Sequence, residues 1–238
     1  MKIYLYSVCF NEEVMLPYFL KYYSTFVNKI TIYDNMSTDN SVNIMKQYGV
    51  EIIPFNYNNE FCERYLTHVR NTCYLNSDAD LVIICDIDEI IYHPNILSEF
   101  KSMISNGFTI IKPTGFQMLS EILPSTIGQI FEEIINGIPD NMYSKPCIFN
   151  PKKVIINLHV GSHGAYPVGE VKLNNDNNLK LLHYRHISRN YEINKNLNLA
   201  NRTSKLSKDM KWGDYINKSE DYINNYYNTN IPISTKII

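Results

Sequence analysis

The chain has 238 residues, 45% of them hydrophobic and 19% charged, and a formal net charge of −2, which excludes a disordered chain and a strongly basic nucleic-acid binder. Its length suits one sizeable core with a C-terminal appendage better than two independent domains. No apolar run approaches a membrane span and MKIYLYSVCF is too short an apolar stretch for a secretion signal, so a cytoplasmic protein is expected.

Residues 3–10 read as a first strand, and Asn11-Glu12-Glu13 falls where a strand hands over to a helix carrying Val14, Leu16, Phe19, Leu20 and Phe26. A second strand over 29–33 leads into DNMSTDNS, a cluster of turn residues in which Ser37 or Asp39 can cap a helix that Gly49 stops. A short third strand over 50–54 and a helix over 60–77 follow. The five cysteines, Cys9, Cys62, Cys73, Cys85 and Cys147, are odd in number and show no CxxC spacing, as expected of reduced residues packed in a core.

The next stretch, LVIICDIDEII at 81–91, organises the rest. Five apolar residues of β-forming type run into Asp86, Asp88 and Glu89, which reads as a buried central strand with acids at its carboxyl end, where open α/β sheets bind ligands. Alternation about Ile87 places Asp86 and Asp88 on one side of an extended backbone, able to converge on a divalent cation or on a cation and a ribose. A helix-capping acidic turn is the alternative, because Pro94 opens a helix expected to run to about Ser105 and to end at Gly107. Beyond it the pattern gives a strand over 108–112, loops with a short helix around 127–135, short strands over 147–173, an Asn-rich loop at 174–178 and a polar, basic helix over 188–211. The alternation of strands and helices argues for a mostly parallel sheet with helices on both faces. Neither GxGxxG after the first strand nor GxxxxGK[ST] occurs, which counts against a dinucleotide oxidoreductase and a P-loop NTPase.

Four segments, CFNEE at 9–13, YDNMSTDNS at 33–41, VRN at 69–71 and ICDIDEII at 84–91, together resemble the glycosyltransferases of family 2, built on the GT-A fold. YSKPCIFNPKK at 143–153, GSH at 161–163, LLHYRH at 181–186 and KWGDY at 211–215 resemble a bacterial and viral subgroup of that family. The resemblance implies an α/β fold of GT-A (Rossmann-like) type, with a catalytic domain over 1–187 and a helical, basic extension over 188–238. It implies transfer of a sugar from a nucleoside diphosphate sugar, a UDP-sugar first of all, to a glycan or lipid-linked acceptor, with inversion and with Mn²⁺ or Mg²⁺ bridging the acids and the diphosphate.

Carried over residue by residue, the resemblance places Val8, Phe10 and Asn11 along the nucleobase, Asp34 in a hydrogen bond to it and Arg70 on phosphate or on an Asp. Asp86 meets ribose or metal, and Asp88 meets the metal. Asn35-Met36 stands where many members have Asp-Gly, so Asp34 and Asn35 are alternative contacts to the base. Asp34 can also cap its own turn, and Arg70 can pair with Glu63 or Asp78. His183 is expected as a third metal ligand, with His163 its competitor or a contact to donor or acceptor sugar. Glu121 is the expected catalytic base, ahead of Glu132, Glu133 and Asp140. A nucleotidyltransferase and a non-catalytic carbohydrate-binding module are the alternative functions. No nucleic-acid partner is expected, while the basic extension can approach a membrane peripherally.

Overall fold

Alternate residues of the first strand, β1 (Ile3–Cys9), leave it on opposite faces, and both faces are covered, which is why its apolar run is nearly continuous. The computed structural model describes residues 1–238 except Thr126, Asp176 and Asn177, and not the side chain of Tyr215. The expected loop at 174–178 therefore falls partly outside the described residues, as does the last side chain of KWGDY. After β1 come α1 (Leu16–Tyr23), β2 (Lys29–Asp34), α2 (Ser41–Gln47), β3 (Glu51–Pro54), α3 (Glu63–Thr72) and β4 (Leu81–Ile84). β1 lies between β2 and β4, parallel to both, with Leu5 opposite Ile30 and Ile83. Ile3, Leu5 and Ile83 pack beneath α1 with Leu16, Phe19 and Tyr23, while Tyr6, Val82 and Ile84 face the other way onto Tyr74.

The chain then leaves this sheet. β5 (Glu89–Tyr92) belongs to a second sheet, and between β4 and β5 only residues 85–88 remain to make the change. The strand expected to run into the acids ends at Ile84, and the extended backbone expected about Ile87 is instead a turn, in which the Glu89 N–H donates to the Asp86 carbonyl at 3.0 Å. The reason is tertiary: Ile90 and Ile91 are fully buried, paired with Leu182 and Leu181 of a later strand in the second sheet. The exposed edge of β5 is satisfied from α1. Tyr22 donates to the Ile91 carbonyl at 2.7 Å, and the Ile91 N–H donates to the Tyr23 hydroxyl at 2.9 Å.

Next follow α4 (Ile96–Ser105), β6 (Ile110–Ile111), β7 (Thr114–Leu119), α5 (Ile130–Glu133), β8 (Asn136–Pro139), β9 (Ile148–Phe149), β10 (Val154–Ile155), β11 (Val168–Gly169), β12 (Leu173–Asn174) and β13 (Lys180–His186). The central sheet runs β12-β6-β9-β4-β1-β2-β3, parallel from β4 to β3, and the second runs β8-β7-β13-β5, with the last strand of the chain, β14 (Thr235–Lys236), outside β8. Gly49 and Gly107 follow the ends of α2 and α4 with φ of 65° and 78°, the left-handed stops that the sequence predicts.

The basic helix expected over 188–211 is divided into α6 (Arg189–Ala200) and α7 (Lys205–Asp209). The break is held by an extended contact between Thr203 and Phe61 and by Ser204, whose hydroxyl accepts the Ser207 N–H at 3.1 Å. After α8 (Glu220–Asn230), β14 (Thr235–Lys236) joins the second sheet beside β8. All five cysteines are free, and four of them are buried.

Candidate active site

The turn at 85–88 opens onto a cleft of about 850 Å³, open solvent included, at the carboxyl end of β1. The turn presents Asp86 and Asp88 to the cleft, and the walls come from β1, α3, β13 and α6.

Each acid is bracketed by cations from distant parts of the chain. Arg70 Nη2 donates to Asp86 Oδ1 at 2.7 Å, and Lys145 Nζ lies 3.7 Å from Asp86 Oδ2 and 2.6 Å from Glu89 Oε1. Burial alone would raise the Asp86 pKa, but Arg70 and Lys145 outweigh it and hold the carboxyl at about 2. Lys195 Nζ, from α6, bridges Asp88 Oδ2 at 2.9 Å and Glu12 Oε1 at 2.8 Å. Burial opposes the charge of Asp88 too, yet Lys195 keeps its carboxyl well below the usual range. Burial pushes Glu12 up to about 7 against the pull of Lys195.

The second oxygen of Asp88 faces a histidine whose tautomer is fixed. Gln117 Nε2 donates to Asp140 Oδ2 at 3.0 Å, so its amide oxygen is turned to His183 Nδ1, 2.6 Å away, and must accept an N–H there. The Nε2 lone pair of neutral His183 then lies 3.6 Å from Asp88 Oδ1. Two acceptors facing each other with no proton between them fit a cation, and the Gln117 bond is the outer-shell support expected of a ligating imidazole. Among the described residues no three His, Cys, Asp or Glu side chains gather as a ligand set. A cation here would take Asp88 and His183 from the protein and its other ligands from diphosphate and water.

The same geometry fixes a pH dependence. Burial brings His183 down to about 4, with Asp88 opposing. Because the folded pKa lies below the ordinary 6.5, the unfolded chain takes up this proton first as pH falls. The contribution is fully present above about pH 6.5 and is lost toward pH 4. Between pH 7 and 5 it should cost about 2 kcal/mol of stability. Urea unfolding in EDTA at the two pH values should show this loss in the wild type and a smaller one in His183→Gln; equal losses would contradict it.

The far end of the cleft is apolar. Val8 and Phe10 from the end of β1 meet Phe61, Leu66 and Leu199. The Arg202 guanidinium stacks 3.8 Å from the Phe10 ring and donates to the Asn35 carbonyl at 3.2 Å and to Asn35 Oδ1 at 3.3 Å. Since a guanidinium cannot accept, the Asn35 amide oxygen is turned toward it and the NH₂ group is left for the cleft.

The expected site residues divide accordingly. Val8, Phe10, Arg70, Asp86, Asp88, His163 and His183 all line the cleft. Arg70 reaches Asp86, with 2.7 Å between Nη2 and Oδ1. Asp34 and Asn11 do not line it: both Asp34 oxygens accept the Ser37 N–H, at 3.3 and 3.2 Å, and Asn11 Oδ1 accepts the Thr38 N–H at 2.7 Å. They brace the 34–39 turn, and Asn35 takes the wall position. Glu121 is also outside the cleft, its carboxylate held at the surface by Arg189 Nε at 2.7 Å. The charge of Arg189, from the helix after β13, draws that acid away.

Sequence reasoning missed Lys145, Lys195 and Arg185, gave Glu12 no role, and offered Glu63 only as a partner for Arg70. Lys145 stands in the YSKP segment already singled out, whereas nothing local distinguishes Lys195 from the other lysines of a basic stretch.

The α/β sheet thus carries, at the carboxyl end of its first strand, acids bracketed by cations and an apolar wall. The profile of glycosyltransferase family 92 matches residues 7–223, and the chain belongs to that family. That family is one of glycosyltransferases, the class that the motifs resemble. No curated protein matches the chain in sequence.

Among solved structures, similar ones include glucosyl-3-phosphoglycerate synthase from Mycobacterium tuberculosis in complex with phosphoglyceric acid, at 16% identity and a TM-score of 0.38 over 49% of this chain and 44% of that one. The same enzyme with Mn²⁺, uridine diphosphate and glucosyl-3-phosphoglycerate gives a TM-score of 0.34 at equal identity and coverage. A mycobacterial protein gives 0.39 at 16% identity, over 49% of this chain and 41% of that one. The chain thus spans less than half the length of these proteins, and likeness this distant bears on no residue of the site.

Proposed function

We propose that the chain transfers a sugar from a nucleoside diphosphate sugar to a hydroxyl of a glycan or lipid-linked acceptor, with inversion at the anomeric carbon. The observation that carries this reading is the meeting, in one cleft, of an apolar wall suited to a nucleobase and a cluster of buried cations and acids suited to a diphosphate. The base lies against Val8 and Phe10, with the Asn35 NH₂ as a donor to one of its acceptors. Asp86, held by Arg70, is placed to accept from the ribose hydroxyls. Lys195 and Arg185 stand on the diphosphate side, where they offset its charge. Asp88 and His183 would hold the divalent cation, Mn²⁺ or Mg²⁺. Bound there, the cation would supply Lewis-acid stabilisation of the charge growing on the leaving diphosphate.

The cytoplasm is the proposed site of action, with the basic extension resting peripherally at a membrane when the acceptor is lipid-linked. No helix among the described residues is long and apolar enough to cross one.

Ligand that binds only the native state raises its melting temperature, so uridine diphosphate with Mn²⁺ is expected to stabilise the chain more than either alone. Guanosine, cytidine and adenosine diphosphates in parallel identify the base. If no nucleoside diphosphate shifts the transition with or without cation, the donor reading is wrong.

A further inference from the structure

The transfer needs a group that takes the proton of the acceptor hydroxyl as its oxygen attacks. The acids in the cleft are occupied: Glu12 and Asp88 share Lys195, and Asp86 pairs with Arg70. Glu63 sits toward the apolar end, where its Oε1 would lie 3.9 Å from a Cβ added at Gly213, a position that also faces Phe61 and Ile216.

His163 is placed differently. Its Nδ1 lies 3.0 Å from the Met142 carbonyl oxygen. A carbonyl can only accept, so Nδ1 carries the hydrogen, and in the neutral ring Nε2 is a bare lone pair. Among the described residues no hydrogen bond or ion pair engages that nitrogen. The residue lines the cleft together with Gly161, and a Cβ added at that glycine would lie 3.7 Å from Nε2, so only the missing side chain leaves that edge of the ring open.

The backbone that aims the ring is unusual. Gly161 and Ser162 are both left-handed, with φ of 80° and 61°, and Ser162 is a buried non-glycine residue. A Cβ at Gly161 would come within 3.3 Å of the His163 ring, so the glycine leaves room for the imidazole. The Tyr143 ring stands edge-on to His163 at 5.4 Å and stacks on His183 at 4.0 Å, which sets His163 one aromatic ring away from the Asp88–His183 pair.

We propose that His163 is the catalytic base, its Nε2 taking the proton of the attacking hydroxyl. This rests on the donor reading above. The acceptor oxygen bonds to the anomeric carbon while the bond from that carbon to the diphosphate oxygen breaks, and the electron pair of that bond leaves with the diphosphate. The proton passes from the hydroxyl to Nε2, and the imidazolium keeps its Nδ1–H on the Met142 carbonyl until Nε2 returns the proton to water. Burial and then the charge of Lys145 lower the His163 pKa, with Asp86 and Asp140 opposing, so the ring is neutral at pH 7. The Tyr143 ring, itself titratable, also packs on it.

The test uses the wild-type chain, His163→Gln, His163→Ala and Glu63→Gln. Uridine diphosphate binding with Mn²⁺ is measured by calorimetry. Turnover is read as hydrolysis of whichever of UDP-glucose, UDP-galactose and UDP-N-acetylglucosamine the wild type cleaves, with water in the place of the acceptor. Both His163 variants should bind the diphosphate as the wild type does and lose roughly 100-fold or more in kcat. The fall of wild-type kcat at low pH should vanish in His163→Gln, and imidazole should partly restore His163→Ala. Nitrogen NMR should show a protonated Nδ1 and a bare Nε2 at pH 7. Normal diphosphate binding with undiminished turnover in the His163 variants overturns the assignment alone, as does loss of the low-pH limb only in Glu63→Gln. A wild type that binds no nucleoside diphosphate removes the donor reading and the assignment with it.

Discussion

Asp88→Ala is expected to abolish cation-dependent binding of a nucleoside diphosphate while the chain still folds. The carboxylate has two partners that act in opposite senses. Lys195 satisfies one oxygen, and after the substitution that ammonium keeps Glu12 at 2.8 Å, so no buried charge is stranded. The other oxygen faces the lone pair of His183 at 3.6 Å. Loss of an outer-shell partner typically costs 10–100-fold in metal affinity, and loss of a direct ligand should cost at least about 100-fold. Calorimetric titration of Mn²⁺ in the presence of uridine diphosphate measures it, with the melting temperature as the check on folding. A folded Asp88→Ala protein with wild-type Mn²⁺ affinity would remove the cation from this site.

Lys145→Met is expected to be the most destabilising single change near the cleft. The Lys145 side chain is nearly inaccessible, and its partner Glu89 is 0% exposed. Burial works against the ammonium, but Glu89 and Asp86 outweigh it and keep it charged above its ordinary range. Removing one member of a buried pair leaves the other charge without compensation, which typically costs about 3–5 kcal/mol.

The sign of the pH dependence identifies the cause. Burial already raises Glu89 to about 7, and without Lys145 it rises further. A carboxyl whose folded pKa is raised stabilises the fold at low pH and loses that contribution as pH rises through the folded value. The variant should therefore be least stable above neutrality and recover toward pH 5. Adding Glu89→Gln should return part of the loss, as a double-mutant cycle over the pair requires. A loss independent of pH and unrelieved by the second change would mean that packing, not stranded charge, is responsible. Glu89 also accepts the Asp86 N–H at 3.0 Å, so the pair positions the turn that carries both cleft acids.

What the sequence by itself determined are features set by neighbours along the chain. The apolar runs of β1, β2 and β4, the periodic face of α1 and the glycine stops at Gly49 and Gly107 follow from residue type and spacing, because burial on one or two faces imposes its own repeat. The acids at the end of β4 were legible for the same reason, and Asp86 and Asp88 do line the cleft. What only the tertiary structure decided is how those acids are held. Their convergence comes from a turn rather than from strand alternation, because the chain changes sheets at 85–88 and the partner of Ile90 and Ile91 is a strand about ninety residues later. Asp34 and Asn35 are adjacent, and local chemistry suits either to the base; only the fold turns one into its own turn and the other into the cleft. Lys195 lies 107 residues from Asp88 and 183 from Glu12 along the chain. No local pattern joins such groups, and they meet because α6 folds back across the end of β1, where a buried ammonium between two carboxylates satisfies all three charges at once.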